Sequence, residues 1–291
     1  MNWKHIFAGA AALLLAACGE PIAPPPADNP LLWEIADADG QIEGWLYGTI
    51  HALPDGVEWR TAPVDHVIGM ADYLVVEVAD LDDREGLARA FTLAGQSAGH
   101  PPLEERVVPS DRAALAGLVA DTPYDAEDYR RIETWAAALV LAQAAKSGAE
   151  AENGVDRGLI RAFGRRRVEQ LEGAERQFAI FDGLAEADQR AMLAAVVREA
   201  GEPDRTGRAV DLWISGDEDA LVEETTSGIL ADPEVREALL VKRNLDWEAR
   251  LRTLLAAPER PLVAVGAAHL VGPDGLVALL RSQGYAVRRL R

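Results

Sequence analysis

Apolar and polar positions at the start of the folded part run as two short stretches around a polar break: Leu31-Leu-Trp-Glu-Ile35, then Asp37-Ala-Asp-Gly40, then Gln41 to Ile50. Short extended runs flanking an Asp/Gly cluster predict a β-hairpin. Pro54-Asp-Gly56 marks a turn, residues 63–71 read as a short helix, and Tyr73-Leu-Val-Val-Glu-Val-Ala79 reads as a third strand. From Arg84 the apolar spacing changes to every third or fourth residue, which predicts helices over 84–94, 110–120 and an alanine-rich 126–146. Residues 154–163 form a further helical pattern closed by Gly164, and 167–171 return to a short strand that ends at Glu172. Several helices fill 175–255, the last from about Pro233, with Asp204, Asp217 and Asp232 as start signals. The chain closes as strand 262–265, helix 274–283 and strand 285–290.

Strands at both ends with helices between them predict an α/β fold. The N-terminal and C-terminal strands share one mixed β-sheet, and a large, mostly helical middle segment packs around it. Residues 31–291 then form a single domain. Ahead of it, a positive end at Lys4 and the apolar run from Ile6 to Ala17 read as a secretory signal peptide, residues 1–17, too short to span a bilayer as a permanent helix. Cys18, the only cysteine, stands in Leu15-Ala-Ala-Cys18 and resembles a bacterial lipobox, which implies cleavage before Cys18 and its lipidation. Residues 18–30 carry Pro21, Pro24, Pro25, Pro26 and Pro30 and read as an extended tether. The expected location is the cell envelope, anchored to a membrane through Cys18, with an outer-membrane placement facing the periplasm suggested by Gly19. A formal charge of −19 disfavours nucleic acid as a partner.

Candidate chemistry comes from two matched tetrapeptides, Gly48-Thr-Ile-His51 and Gly266-Ala-Ala-His269, each following a strand pattern. Glycine permits tight turns and close approach, and imidazole is the common neutral-pH ligand and proton carrier. Glu77 lies between Val76 and Val78 in the third strand, where a carboxylate needs a partner. His51, Glu77 and His269 together make a reasonable ligand set for a divalent ion (zinc, manganese or iron) that would activate water. His66 and His100 lack the strand-and-glycine setting and read as structural or exposed, while Trp33, Trp45 and Tyr47 read as core. No Gly-x-Ser-x-Gly elbow, Walker loop or dinucleotide fingerprint is present.

The segments Leu46-Tyr-Gly-Thr-Ile-His-Ala-Leu-Pro54, Leu74-Val-Val-Glu77, Gly154-Val-Asp156, Leu171-Glu172, Arg243-Asn244 and Val265-Gly-Ala-Ala-His-Leu-Val-Gly-Pro-Asp-Gly275 resemble the TraB/GumN family. That family is distantly similar to Tiki-type metalloproteases and to erythromycin-esterase and ChaN-like folds. The resemblance implies a mixed α/β core with both histidines and the strand glutamate at one cleft, and metal-dependent hydrolysis of a peptide or protein segment by analogy with the Tiki branch. Within it, Glu172 is an auxiliary acid, base or ligand, and Arg243 with Asn244 either clamps a substrate carboxylate or stabilises an oxyanion. Asp156 caps or braces its helix. Two rival readings stay open: a protein that holds a small molecule, peptide or haem in the same cleft without turnover, and purely structural histidines.

Overall fold

The computed structural model describes residues 31–145, 148–202 and 205–291, without the side chains of Arg205 and Thr206. The signal peptide, Cys18, the tether, Lys146 and Asp204 lie outside the described residues. Among those described, a six-stranded sheet forms from β1 (Leu32–Ala36), β2 (Ile42–Thr49), β3 (Tyr73–Val76), β4 (Val168–Gln170), β5 (Pro261–Gly266) and β6 (Ala286–Arg289). Its order is β4-β3-β5-β2-β1-β6. β2, β5, β3 and β4 run parallel, whereas β1 is antiparallel to both β2 and β6. First and last strands therefore share the sheet, as the pattern predicts, and the carboxyl ends of four parallel strands meet at one edge. Such an edge is where open α/β sheets hold ligands.

The hairpin turn closes because the Asp37 carboxylate accepts from the amides of Asp39 and Gln41 at 2.9 and 2.8 Å, and Gly40 takes a φ of +80° that a side chain would resist. Trp33, Trp45 and Tyr47 are buried in the core, Trp33 on the face of the sheet opposite to the other two. The helical middle builds a second core around Trp135, which stacks on Phe181 and meets Phe91 edge-on. No helix among the described residues is long and apolar enough to cross a membrane.

Three expectations shift in extent. The helix expected over 126–146 is divided into a turn at Asp128–Arg131 and a helix at Thr134–Ala144. The cause is Arg106, buried to 2% exposure, whose guanidinium takes the carbonyls of Tyr129 and Ile132 at 2.5 and 2.8 Å and so removes them from a continuous helical ladder. β3 stops at Val76, because the next carbonyl, that of Glu77, turns to accept from Glu172 and Gly173. The last long helix starts at Lys242, preceded by a π-helical turn over Glu237–Val241 and a short helix Pro233–Arg236. Asp217 and Asp232 cap helix starts with their carboxylates, as expected.

Candidate functional site at the carboxyl edge of the sheet

Thr49 of β2 pairs with Gly266 of β5, which brings the two tetrapeptides side by side. Gly48 is required by crowding: a Cβ there would stand 3.0 Å from the Leu31 Cβ and 3.2 Å from the Ala267 Cα. Gly266 leaves space at the centre of the site. A Cβ on it would lie 3.4 Å from Glu77 Oε1 and 3.7 Å from both His51 Nε2 and His269 Cδ2. The two histidines and the strand glutamate thus converge on one point, although they come from three segments of the chain.

His51 sits on the open side. Its Nδ1 is 2.8 Å from Asp156 Oδ2, and Thr49 Oγ1 donates to Asp156 Oδ1 at 2.7 Å. Asp156 is buried and begins the helix Val155–Phe163, whereas the His51 side chain is 71% exposed. The Asp156 carboxylate pushes the imidazole up to about 9. His51 therefore carries a proton at neutral pH. Because the folded value is raised, the stability drawn from this pair is complete below the ordinary histidine value of 6.5 and is lost as pH rises through about 9. An NMR titration of His51 is expected to show a midpoint well above 6.5 that falls back in Asp156→Asn; an unshifted midpoint in the parent chain contradicts the pairing.

Gly154 fixes this pair. The amide of Val155 donates to the Ile50 carbonyl at 2.9 Å, and a Cβ on Gly154 would stand 2.2 Å from the His51 carbonyl oxygen. Backbone cannot yield that distance cheaply. Gly154→Ala is expected to cost about 1–3 kcal/mol in urea denaturation and to separate His51 from Asp156; an unchanged midpoint would show that the contact relaxes freely.

The buried side of the site is organised by Arg243. Its five N–H groups all have acceptors: Nε reaches Glu172 at 3.0 Å, Nη1 reaches the Leu239 carbonyl at 3.0 Å and His269 Nε2 at 3.2 Å, and Nη2 reaches Glu77 at 2.6 Å and Glu172 at 3.0 Å. The preceding π-helical turn supplies the Leu239 carbonyl. Trp247 lies under the guanidinium, 4.6 Å from carbon to ring centroid, and its indole N–H donates to Glu172 at 3.0 Å. His269 donates Nδ1–H to Asn244 Oδ1 at 2.6 Å, and the Asn244 amide donates to the Asp274 carbonyl at 2.8 Å. Nε2 of His269 is thereby the acceptor that Arg243 needs. Burial pushes His269 down to about 3, so it stays neutral. Burial would raise Glu77, but His269, Arg243, His51 and the Gly266 amide, which donates at 2.8 Å, outweigh it and hold the carboxyl at about 2.

Arg243 and Asn244, expected to meet substrate, make their bonds within the protein: every N–H of Arg243 has an acceptor, and Asn244 is fully buried with both amide atoms bonded. They position Glu77 and His269. Glu172 is equally occupied, its side chain only 1% exposed. His66 and His100 lie away from the cluster, the latter bonded to Ser97. A cavity of about 250 Å³ opens over His51, Glu77, Asp156, Gln177, Val78 and Leu81. The expected divalent ion does not fit the arrangement as it stands. Among the described residues no group of three His, Cys, Asp or Glu side chains is disposed to hold one, since Arg243 already supplies the positive charge on which Glu77 and His269 close.

Asp156 does more than cap or brace its helix, and Thr49 and Gln177 join the site beside it. Thr49 lay inside the first tetrapeptide and Asp156 beside Gly154, so both carried a local signal. Gln177, which donates to Glu77 at 3.3 Å, carried none.

The chain is 29% identical over 186 residues to the uncharacterized protein YbaP of Escherichia coli K12, covering 62% of this chain and 68% of that one. The protein of the same name from Shigella flexneri matches with the same identity and coverage. No solved structure gives a significant match. Residues 31–289, spanning every strand and all the site residues described above, match the TraB/PrgY/gumN family, to which this chain belongs.

Proposed function

We propose that the chain is an acyl hydrolase, acting on peptide or protein segments, in which His51 backed by Asp156 moves the proton. The observation that carries this reading is the geometry of His51: one ring nitrogen is anchored to a buried carboxylate, while the exposed side of the ring faces a cavity that it shares with Glu77. Glu77, ionised at neutral pH, holds a water and takes its proton as the water oxygen attacks the carbonyl carbon. The bond to the leaving nitrogen or oxygen breaks as that atom receives the proton from His51 Nε2. The proton on Glu77 then returns to His51, so that one water is consumed. Glu77 is a weak base at about 2, and most of the acceleration falls on protonation of the leaving group. Arg243, Asn244 and His269 keep Glu77 in place.

A second reading has its own support. Both imidazoles tie Nδ1 to an oxygen acceptor, the habit of histidines that bind metals through the other nitrogen. Zinc, manganese or iron on His51, Glu77 and His269 would require Arg243 to give up its bonds to Glu77 and His269. The resemblance to a lipobox extends the proposal to location: Cys18 is lipidated, and the tether holds the domain at an envelope membrane within reach of peptide substrates.

The test is incubation of the purified chain with a defined peptide mixture, read by mass spectrometry beside His51→Ala. Cleavage by the parent and none by the variant supports hydrolysis. Tight peptide binding without cleavage by either replaces it with a binding role.

A further inference from the structure

A cavity of about 660 Å³ lies not over His51 but on the other side of the β2 end, under the helices Glu186–Ala200, Arg205–Ser215 and Glu218–Glu224. Thr49 and Ile50 line it, and His51 lines the smaller cavity, so the chain segment 49–51 is the wall between the two. Ala267, just past the end of β5 and two residues before His269, lines the larger cavity. Both cavities therefore border the same carboxyl edge, where ligands of parallel sheets bind.

Trp213, Leu212 and Leu221 join Ile50 and Ala267 as an apolar part of its wall. Trp213 is held rigid by its indole N–H, which donates to the Gly48 carbonyl at 2.9 Å. Charges stand among the lining residues: Glu202 pairs with Arg208 at 2.7 Å, and Glu224 accepts from Ser227. With Arg198 and Glu199 also in the lining its charges nearly balance, so it is the net charge of −19 on the whole chain that disfavours carboxylate and phosphate ligands.

Resting on the hydrolase reading above, we propose that this cavity is the specificity pocket, and that it takes one bulky apolar side chain of a neutral or basic peptide whose backbone crosses the β2 and β5 ends to His51. The volume suits a large side chain with its flanking backbone. Trp213 forms a pre-ordered apolar surface for it, at little cost in side-chain ordering. Thr49 links the two halves of the site, since the same residue lines the pocket and holds Asp156.

The experiment measures binding apart from turnover. Full-length His51→Ala, which leaves the pocket intact, is titrated with hexapeptides identical except for one central Ala, Leu, Phe or Glu, and separately with laurate. Leu and Phe peptides are expected to bind at least tenfold more tightly than Ala or Glu peptides, and Ala209→Trp, filling the cavity from one wall, is expected to erase that preference. Ala231→Phe repeats the reading from another wall if the first variant does not fold. Equal binding across the series, a preference untouched by both fillings, or tight binding of laurate in place of peptides overturns the proposal. Because no cleavage is read, a selective pocket in a chain that hydrolyses nothing supports the pocket while refuting the hydrolase.

Discussion

Replacing Arg243 by methionine is expected to lower the unfolding free energy by about 3–5 kcal/mol, the usual consequence of deleting one partner of a buried ion cluster. Methionine keeps much of the apolar stem and removes the guanidinium. Glu77 and Glu172, both buried, would then face each other's charge with no cation between them, and His269 Nε2 would lose its donor. The loss is expected to shrink when Glu172→Gln is added, since the second variant removes one of the stranded charges. Chemical denaturation of the three proteins checks this. A loss below about 1 kcal/mol would mean that water replaces the guanidinium and that the cluster is not the closed unit described. The acid side of the stability profile belongs to the same cluster. With Glu77 lowered from 4.5 to about 2, its contribution is present above the higher value and disappears as pH falls towards the lower.

Asp156→Asn is expected to reduce hydrolysis by about 100- to 10,000-fold, the range over which a positioned acid or base contributes. The amide preserves the shape but cannot hold a charged imidazole, so the proton leaves His51 at a lower pH and the ring loses its fixed orientation. The reduction should fall on kcat with KM little changed, as for an interaction made in the transition state alone. The alkaline limb of the pH profile, expected in the parent near the His51 value of about 9, should move to lower pH. A fall confined to KM would assign Asp156 to binding instead.

Much of the sheet was legible because its signals are local. Alternating apolar runs about Asp37 to Gly40 announced the hairpin, and an acid inside the apolar run of residues 73–79 marked Glu77. The paired tetrapeptides marked both histidines by the same logic, since glycine and imidazole at fixed spacing are read within four residues. What could not be read depends on side chains far apart in sequence. Asp156 meets His51 across 105 positions, and Glu77 meets Arg243 across 166. The role of Arg243 turned on a complete count of its acceptors, two of which, the Leu239 carbonyl and His269 Nε2, no sequence pattern assigns. The expected helix over 126–146 failed for a similar reason: a buried arginine more than twenty residues upstream, Arg106, captures its carbonyls.

In the proposed mechanism His51 and Asp156 carry the chemistry while Arg243 is the permanent cation of the site. The most direct test is the rate of peptide cleavage by chain stripped with chelator and assayed by elemental analysis for zinc, manganese and iron. The rate is expected to survive stripping and to show no dependence on residual metal. A rate that vanishes with the metal and returns in proportion to one added ion per chain would contradict it, and would place that ion where Arg243 now holds Glu77 and His269.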